Sequence, residues 1–366
     1  MAFELWKGNE AIAEAAVRAG CRFFFGYPIT PQNEVPEYMA RRLPEVGGCF
    51  LQSESELAAI NMVYGAAGAG MRAMTSSSSP GISLKQEGIT YIAGAELPCV
   101  IVNCMRGGPG LGTIQPGQGD YYQATRGGGN GDYRLVVLAP NTIQEAVDLM
   151  QEAFDIADCY RNPVMLLADG MIGQMMEPLE WHEPERRELP PKDWAAAGLH
   201  GRGSHNIINS LFIDPLACER HNNRLQEKYR LMEQRELRFE ERGCEGAEVL
   251  FVAYGSPSRI VMSAVDLLAA QGVKAGLLRP ITVWPYPYER LAALSREPSV
   301  KAVVAVEMSA GQMLDDVKIA VGGCKPISFV GHTGGVIPTQ HEIAAAALAA
   351  LGRGTVWQSS IKSPRP

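Results

Sequence analysis

The sequence predicts an α/β protein built from two doubly wound sheets. Short apolar runs alternate along the chain with longer segments of helical spacing. The runs are continuously apolar, as in parallel strands buried on both faces. The alternation breaks down in a charged stretch around residues 177–246 and then resumes, dividing the chain in two. The 366 residues, 46% hydrophobic and 20% charged, suffice for two cores.

In chain order, Gly8–Ala19 places Ile12, Ala15, Ala16 and Ala19 on one helical face and stops at Gly20. Cys21–Phe25 reads as a buried strand ending at Gly26-Tyr27-Pro28-Ile29-Thr30-Pro31, where two prolines stiffen the loop. A stiff loop at the carboxyl end of a strand is where such sheets bind ligands. Pro31 is expected to open the next helix, with Thr30 as its N-cap. Strand Cys49–Gln52, helix Ser55–Ala69, strand Arg72–Thr75, loop Ser76–Pro80, helix Gly81–Ala93 and strand Cys99–Met105 follow. Beyond a glycine-rich loop come strand Leu135–Leu138, helix Thr142–Asp158 and strand Val164–Ala168. Glu177–Pro191 is a charged, proline-rich arm, and Pro215–Arg242 reads as one long solvated helix. The second unit has strands Val249–Ala253, Ala275–Leu278 and Ala302–Glu307. Its expected helices are Ser258–Ala270, Tyr288–Ser295, Gln312–Val321 and His341–Leu351. The expected domains are 1–178, an arm and linker helix at 179–246, and 247–366.

A net charge of −7 leaves no basic excess for nucleic acid. No run is long and apolar enough for a membrane span, and Met1–Asn9 lacks signal-peptide features, so a cytoplasmic location is expected. Eight scattered cysteines form no C-x-x-C or other metal-ligand spacing. They read as small buried hydrophobes, and no metal site is expected on this chain.

Leu51–Gly81 sets two carboxylates, Glu54 and Glu56, among alanines and glycines that permit close helix packing. A carboxylate pointed into such a wall loses hydration, which favours its protonated form. The alternative is a solvated helix N-terminus where both favour the dipole. Gly68–Ala73 matches G-x-G-x-x-A but ends a helix and precedes a strand, the reverse of the dinucleotide-binding context. Arg106, followed by Gly107-Gly108-Pro109-Gly110-Leu111-Gly112, suits bidentate capture of a carboxylate or is a surface arginine heading a loop. Gly127–Gly131 reads as a flexible connection or subunit contact, and His332 and His341 as structural.

Together these segments resemble the α-type subunit of 2-oxoacid:ferredoxin oxidoreductases, which are thiamine diphosphate enzymes. The segments are GYPITP (Gly26–Pro31), QSESELAAINMVYGAAGAG (Gln52–Gly70), SSSSPG (Ser76–Gly81), RGGPGLG (Arg106–Gly112), RPITVWPYP (Arg279–Pro287) and VEMSAGQM (Val306–Met313). SSSSPG and TIQPGQGDYYQ resemble the branched-chain (2-oxoisovalerate, 3-methyl-2-oxobutanoate) type. The resemblance implies a thiamine pyrimidine-binding domain followed by a transketolase C-terminal-like domain. The family's glutamate is followed by alanines and by a glycine nine positions on; Glu56, with Gly65, fits and Glu54 does not.

The resemblance further implies that Glu56 is catalytic, bonding the ring nitrogen of the cofactor's aminopyrimidine, and that Pro28, Ile29 and Thr30 border the cofactor. Thr30 and Arg106 are implied to contact the substrate. The implied reaction is oxidative decarboxylation of a 2-oxoacid to its acyl-CoA with reduction of ferredoxin. Leu111 and Ile114 offer no charge for a second carboxylate, which favours a branched aliphatic substrate over 2-oxoglutarate; the same chemistry on 2-oxoglutarate or pyruvate is the alternative. The family's G-D-G and following asparagine, which hold diphosphate and Mg2+, are absent; Asp169-Gly170 comes nearest. Thiamine diphosphate is therefore implied to be shared with a β-type subunit. Mg2+, 4Fe–4S clusters and coenzyme A fall on partners, including a γ-type and a ferredoxin-like δ-type subunit. A non-catalytic assembly subunit is the alternative.

Overall fold

The computed structural model describes residues 3–183 and 187–353. The end of the second expected domain, to residue 366, and residues 184–186 of the arm lie outside the described residues.

The first unit runs β1 (Glu4–Lys7), α1 (Gly8–Arg18), β2 (Phe23–Gly26), α2 (Glu34–Glu45), β3 (Cys49–Gln52), α3 (Glu56–Gly68), β4 (Ala73–Ser77), α4 (Ser79–Gly94) and β5 (Cys99–Met105). It continues with α5 (Tyr121–Arg126), β6 (Val136–Leu138), α6 (Ile143–Tyr160), β7 (Pro163–Asp169), α7 (Gly170–Gln174) and β8 (Met176–Leu179). After α8 (Pro215–Arg235) come β9 (Phe239–Arg242), β10 (Val249–Val252), α9 (Ser256–Ala269), β11 (Ala275–Pro280) and β12 (Thr282–Trp284). α10 (Tyr288–Arg296), β13 (Ala302–Glu307), α11 (Gln312–Val321), β14 (Ile327–Gly331) and α12 (Gln340–Ala350) follow.

The strands form a seven-stranded sheet, β12-β6-β7-β5-β4-β2-β3, a five-stranded sheet, β14-β13-β10-β11-β9, and the pair β1-β8. Both larger sheets are parallel apart from one antiparallel edge strand each, β12 and β9. β5 and β7 are buried along their whole length, which explains their unbroken apolar sequence. Side-chain caps set the helix starts: Ser55 accepts from Ala58 N and Thr142 from Glu145 N.

Four expectations need correction. Pro31 does not open a helix; α2 starts at Glu34. The Thr30 carbonyl accepts from Arg106 Nη1 at 3.0 Å, and the Pro31 carbonyl from Asn9 and Gln174 side chains at 2.8 and 2.7 Å. Those carbonyls hold the loop to other elements instead of starting a helical ladder. Ser76 and Ser77 belong to β4, paired beside Val102 and Asn103, and α4 begins at Ser79. The long helix ends at Arg235, and Phe239–Arg242 turns back to pair with β11. Gly128 and Gly129 are not a free connection. Their amides bond Tyr133 Oη, Gly128 N also bonds Gln86, and a Cβ at Gly129 would lie 2.5 Å from the Gln86 carbonyl.

One strand crosses between the units. Leaving the second sheet, β12 pairs antiparallel with β6 of the first. Arg279, just before it, makes two 2.8 Å bonds to Glu145 and a third to Glu240. Gln118, fully buried, exchanges bonds with the Met308 backbone and donates to the Tyr254 carbonyl. One apolar core consequently includes residues of both units, among them Leu166, Tyr254 and Leu278.

Candidate active site

The chain leaves β2 for β3 on one side and passes from β4 to β5 on the other. The carboxyl ends of β2 and β4 therefore flank the sheet's switch point, where open α/β sheets form a crevice. The GYPITP loop follows β2, and the Ser78 turn follows β4. β3 leads through Ser53 and the Ser55 cap into Glu56, in the first turn of α3. Arg106 follows β5.

Glu56 and Glu54 separate clearly. Glu54 is exposed, with Ser55 Oγ donating to it, while Glu56 is 7% exposed. The Glu56 carboxylate has no hydrogen-bond or ion-pair partner among the described residues. It lies against Gly81 of α4, where a Cβ would come 2.7 Å from Glu56 Oε1 and 2.1 Å from Ser77 Oγ. Only glycine leaves the carboxylate that room. Buried polar atoms without partners gather along the same strand end: Ser77 Oγ, Ser78 Oγ, Thr75 Oγ1 and Gln32 Nε2. Such groups are rare without a ligand or water to satisfy them.

Arg106 is buried, and its two terminal nitrogens hold backbone: Nη1 the Thr30 carbonyl and Nη2 the Leu111 carbonyl, each at 3.0 Å. Its Nε has no partner. It thus ties the GYPITP loop to the glycine loop and leaves its Nε donor without a partner. Thr30 and Pro28 are exposed and Ile29 half-buried. Thr30 borders a cleft of about 440 Å³ together with Glu34, Ile114, Pro116, Met171 and Ile337. No lysine or arginine lines this cleft.

Asp169 is drawn into structure instead. It caps α7 and accepts from Ser256 N and Oγ, fixing the second unit to the first. Burial raises its pKa, and those bonds pull the other way. Among the described residues no group of three or more His, Cys, Asp or Glu could hold a metal. None of their helices is long and apolar enough to cross a membrane. His332 pairs with Glu342 at 2.8 Å.

Sequence reasoning missed Lys85 and Asp120. Lys85 is fully buried on α4, its Nζ unbonded; burial lowers its pKa to about 8, against the opposing pull of Glu56. Lys85 lies one turn from Gly81, on the face of α4 turned to α3, a placement that only the packing of the two helices reveals. Asp120, at the end of the TIQPGQGD run, accepts from Asn103 Nδ2 at 2.9 Å, and burial raises its pKa. It lines a second cleft, about 380 Å³, where Ser79 and the glycine loop meet Met308–Gln312 of the second unit.

A family model described as "Pyruvate flavodoxin/ferredoxin oxidoreductase, thiamine diP-bdg" matches residues 14–234, and "Pyruvate:ferredoxin oxidoreductase core domain II" matches 247–343. The ketoisovalerate oxidoreductase subunit VorB of Methanothermobacter marburgensis is 51% identical over 92% of this chain and 94% of its own. The 2-oxoglutarate synthase subunit KorA of Methanocaldococcus jannaschii is 38% identical over 95% of this chain and all of its own. A solved 2-oxoglutarate:ferredoxin oxidoreductase from Magnetococcus marinus shares the fold at a TM-score of 0.83 and 26% identity. That match covers 95% of this chain and 65% of the longer solved one. A split-gene transketolase matches in fold alone, with a TM-score of 0.59 at 16% identity. The chain belongs to the thiamine diphosphate-dependent 2-oxoacid:ferredoxin oxidoreductases, as an α-type subunit.

Proposed function

We propose that this chain supplies the aminopyrimidine-facing half of the active site in an oxidoreductase complex acting on a branched-chain 2-oxoacid. The observation that carries the reading is the Glu56 carboxylate, buried and unpartnered at the sheet's switch point with Gly81 leaving it space.

The residues fit the pyrimidine end of thiamine diphosphate. A carboxyl free of protein partners can share a proton with a weakly basic ring nitrogen. Ser77 and Ser78 carry unsatisfied hydroxyls beside it for further ring contacts. When bound, the cofactor supplies the electron sink that lets a 2-oxoacid lose carbon dioxide. The protein's part is to bind, orient and move protons. Glu56 holds and exchanges the proton at the ring nitrogen. Pro28, Ile29 and Thr30 border the reacting end, in a loop held by bonds to the Thr30 and Pro31 carbonyls. Arg106, through Nε, faces the substrate carboxylate until it leaves.

The overall change releases that carboxylate as carbon dioxide and transfers the acyl group to coenzyme A. Iron–sulfur clusters on partner subunits would take up the two electrons singly and hand them to ferredoxin. Diphosphate, Mg2+, clusters and coenzyme A fall to β-, γ- and δ-type partners. All eight cysteines are free, which suits a reducing cytoplasm; Cys21, Cys99, Cys104 and Cys244 are buried as expected, whereas Cys49 and Cys324 are exposed and Cys159 and Cys218 half-buried.

The cleft beside Thr30 supports a branched aliphatic substrate. Ile114, Pro116, Met171 and Ile337 give it apolar walls, and Glu34 is its one charged residue. A second substrate carboxylate would meet no free cation there, since the nearby Lys7 is already paired with Glu34 at 2.5 Å. The name of the 51%-identical relative agrees.

The test is the complex isolated with its partners, assayed with 2-oxoisovalerate, pyruvate and 2-oxoglutarate. Branched substrates should give the highest kcat/KM, and a preference for 2-oxoglutarate would overturn the substrate assignment. Glu56→Gln should lower decarboxylation by about 10²-fold or more while leaving assembly intact. Wild-type rates in that variant would remove Glu56 from the mechanism.

A further inference from the structure

Helix α4 carries a lysine where its packing calls for an apolar side chain. Gly81, Lys85 and Gly88 recur at one-turn spacing and share the face turned to α3. A Cβ at Gly81 would come 2.7 Å from Glu56 Oε1, and one at Gly88 would come 2.4 Å from Ile60. Glu56 and Ile60 are themselves one turn apart on α3. The two helices therefore touch on two rungs, and Lys85 enters between them.

Its side chain is fully buried, and Nζ has no hydrogen-bond partner. Of the charged groups among the described residues, Glu56 alone acts on it. The other charges of the neighbourhood are engaged or turned away. Arg106 holds the Thr30 and Leu111 carbonyls, Asp120 accepts from Asn103, and Glu54 is exposed. From β4 the site receives only uncharged serines, and Gln86, beside Lys85, bonds Gly128. A buried ammonium without a hydrogen bond is costly, and an apolar residue of similar volume would pack there at lower cost. The position makes sense as a countercharge.

We propose that Lys85 is a positioning residue for Glu56, its ammonium a countercharge behind the carboxylate that keeps it aimed into the crevice. The inference rests on the reading of Glu56 given above. A cation near a carboxylate favours the charged form. Glu56 therefore meets an incoming ring in a fixed orientation.

The test uses the complex with its partners, stripped of thiamine diphosphate. Infrared pH-difference spectra follow the carboxylate band identified as Glu56 by its loss in Glu56→Gln. In Lys85→Met the midpoint of that band should move up by about one pH unit, as expected for losing a nearby unit charge in a partly polar interior. Lys85→Arg, which keeps the charge, should hold it near the wild-type value. In the Glu56→Gln background, Lys85→Met should leave thiamine diphosphate affinity unchanged. An unmoved midpoint in Lys85→Met overturns the proposal. So does a further loss of affinity in the double variant, or a collapse of the unfolding temperature in Lys85→Met, which would mark Lys85 as a packing post. Failure of the Glu56 reading is separate: it shows as wild-type cofactor affinity and turnover in Glu56→Gln alone.

Discussion

Gly81→Ala isolates the contact on which the site depends. The new methyl carbon would stand 2.7 Å from Glu56 Oε1 and 2.1 Å from Ser77 Oγ. An ordinary carbon–oxygen contact is about 3.4 Å, so the carboxylate has to withdraw by roughly 0.7 Å and the hydroxyl by roughly 1.3 Å. Overpacking of this kind costs about 1–3 kcal/mol, offset by up to about 1 kcal/mol from alanine's better helix propensity. Net destabilisation should be about 0–3 kcal/mol, and the chain should still fold and assemble. The functional loss should be larger, because misplacing a catalytic group by about 1 Å can cost on the order of 10²-fold. The assay pairs the thiamine diphosphate dissociation constant and the decarboxylation rate of the complex with its unfolding temperature. Affinity and rate both within threefold of wild type would refute the idea that the Glu56 carboxylate works from its place against Gly81.

Other expectations concern the loops and the arm. Arg106→Lys keeps the charge but loses the fork that spans the Thr30 and Leu111 carbonyls. KM for the 2-oxoacid should rise by about tenfold or more with little change in unfolding temperature; an unchanged KM would exclude the substrate role. Ile114→Arg places a cation in the cleft beside Thr30 and should shift the kcat/KM ratio toward 2-oxoglutarate, measured by competition between the two substrates. Glu236, buried at the end of α8, accepts two bonds from Arg187 and one from Tyr160. Burial pushes its carboxyl up, but those partners more than offset it and the value falls below the ordinary 4.5. A depressed carboxylate contributes stability in full above pH 4.5 and loses it as pH falls through the folded value. Protease cleavage of the arm near Arg187 should therefore rise steeply below that pH in wild type, and Glu236→Gln should lack the step.

Much of the scaffold was readable because local chemistry and tertiary role agree. Ser55 and Thr142 are helix caps by residue type and in fact. β5 and β13 begin and end where the apolar runs do, and α11 where the helical spacing does. Local signals failed where distant partners decide. Serines at 76 and 77 resemble a loop, yet neighbouring strands make them part of β4. β9, β12 and β14 are short or half-exposed, and β9 and β12 depend on strands tens of residues or more away in sequence. The site was legible in part. Glu56 stood out from Glu54 only through the resemblance, whereas burial separates them directly. Lys85 could not be found by composition, since lysine is almost always solvated and only three-dimensional packing brings it between the rungs of α3 and α4.

β12 has a bearing on how such polypeptides can be divided. The last ladder of the amino-terminal sheet is completed by residues encoded more than a hundred positions after β6, its partner. A gene severed at the junction near residue 246 would yield a front half with a raw backbone rim, open to mispairing and clumping. Its back half would carry a donor segment in search of an acceptor. Co-expression of the halves should restore a soluble product through that donated strand, whereas either alone should precipitate.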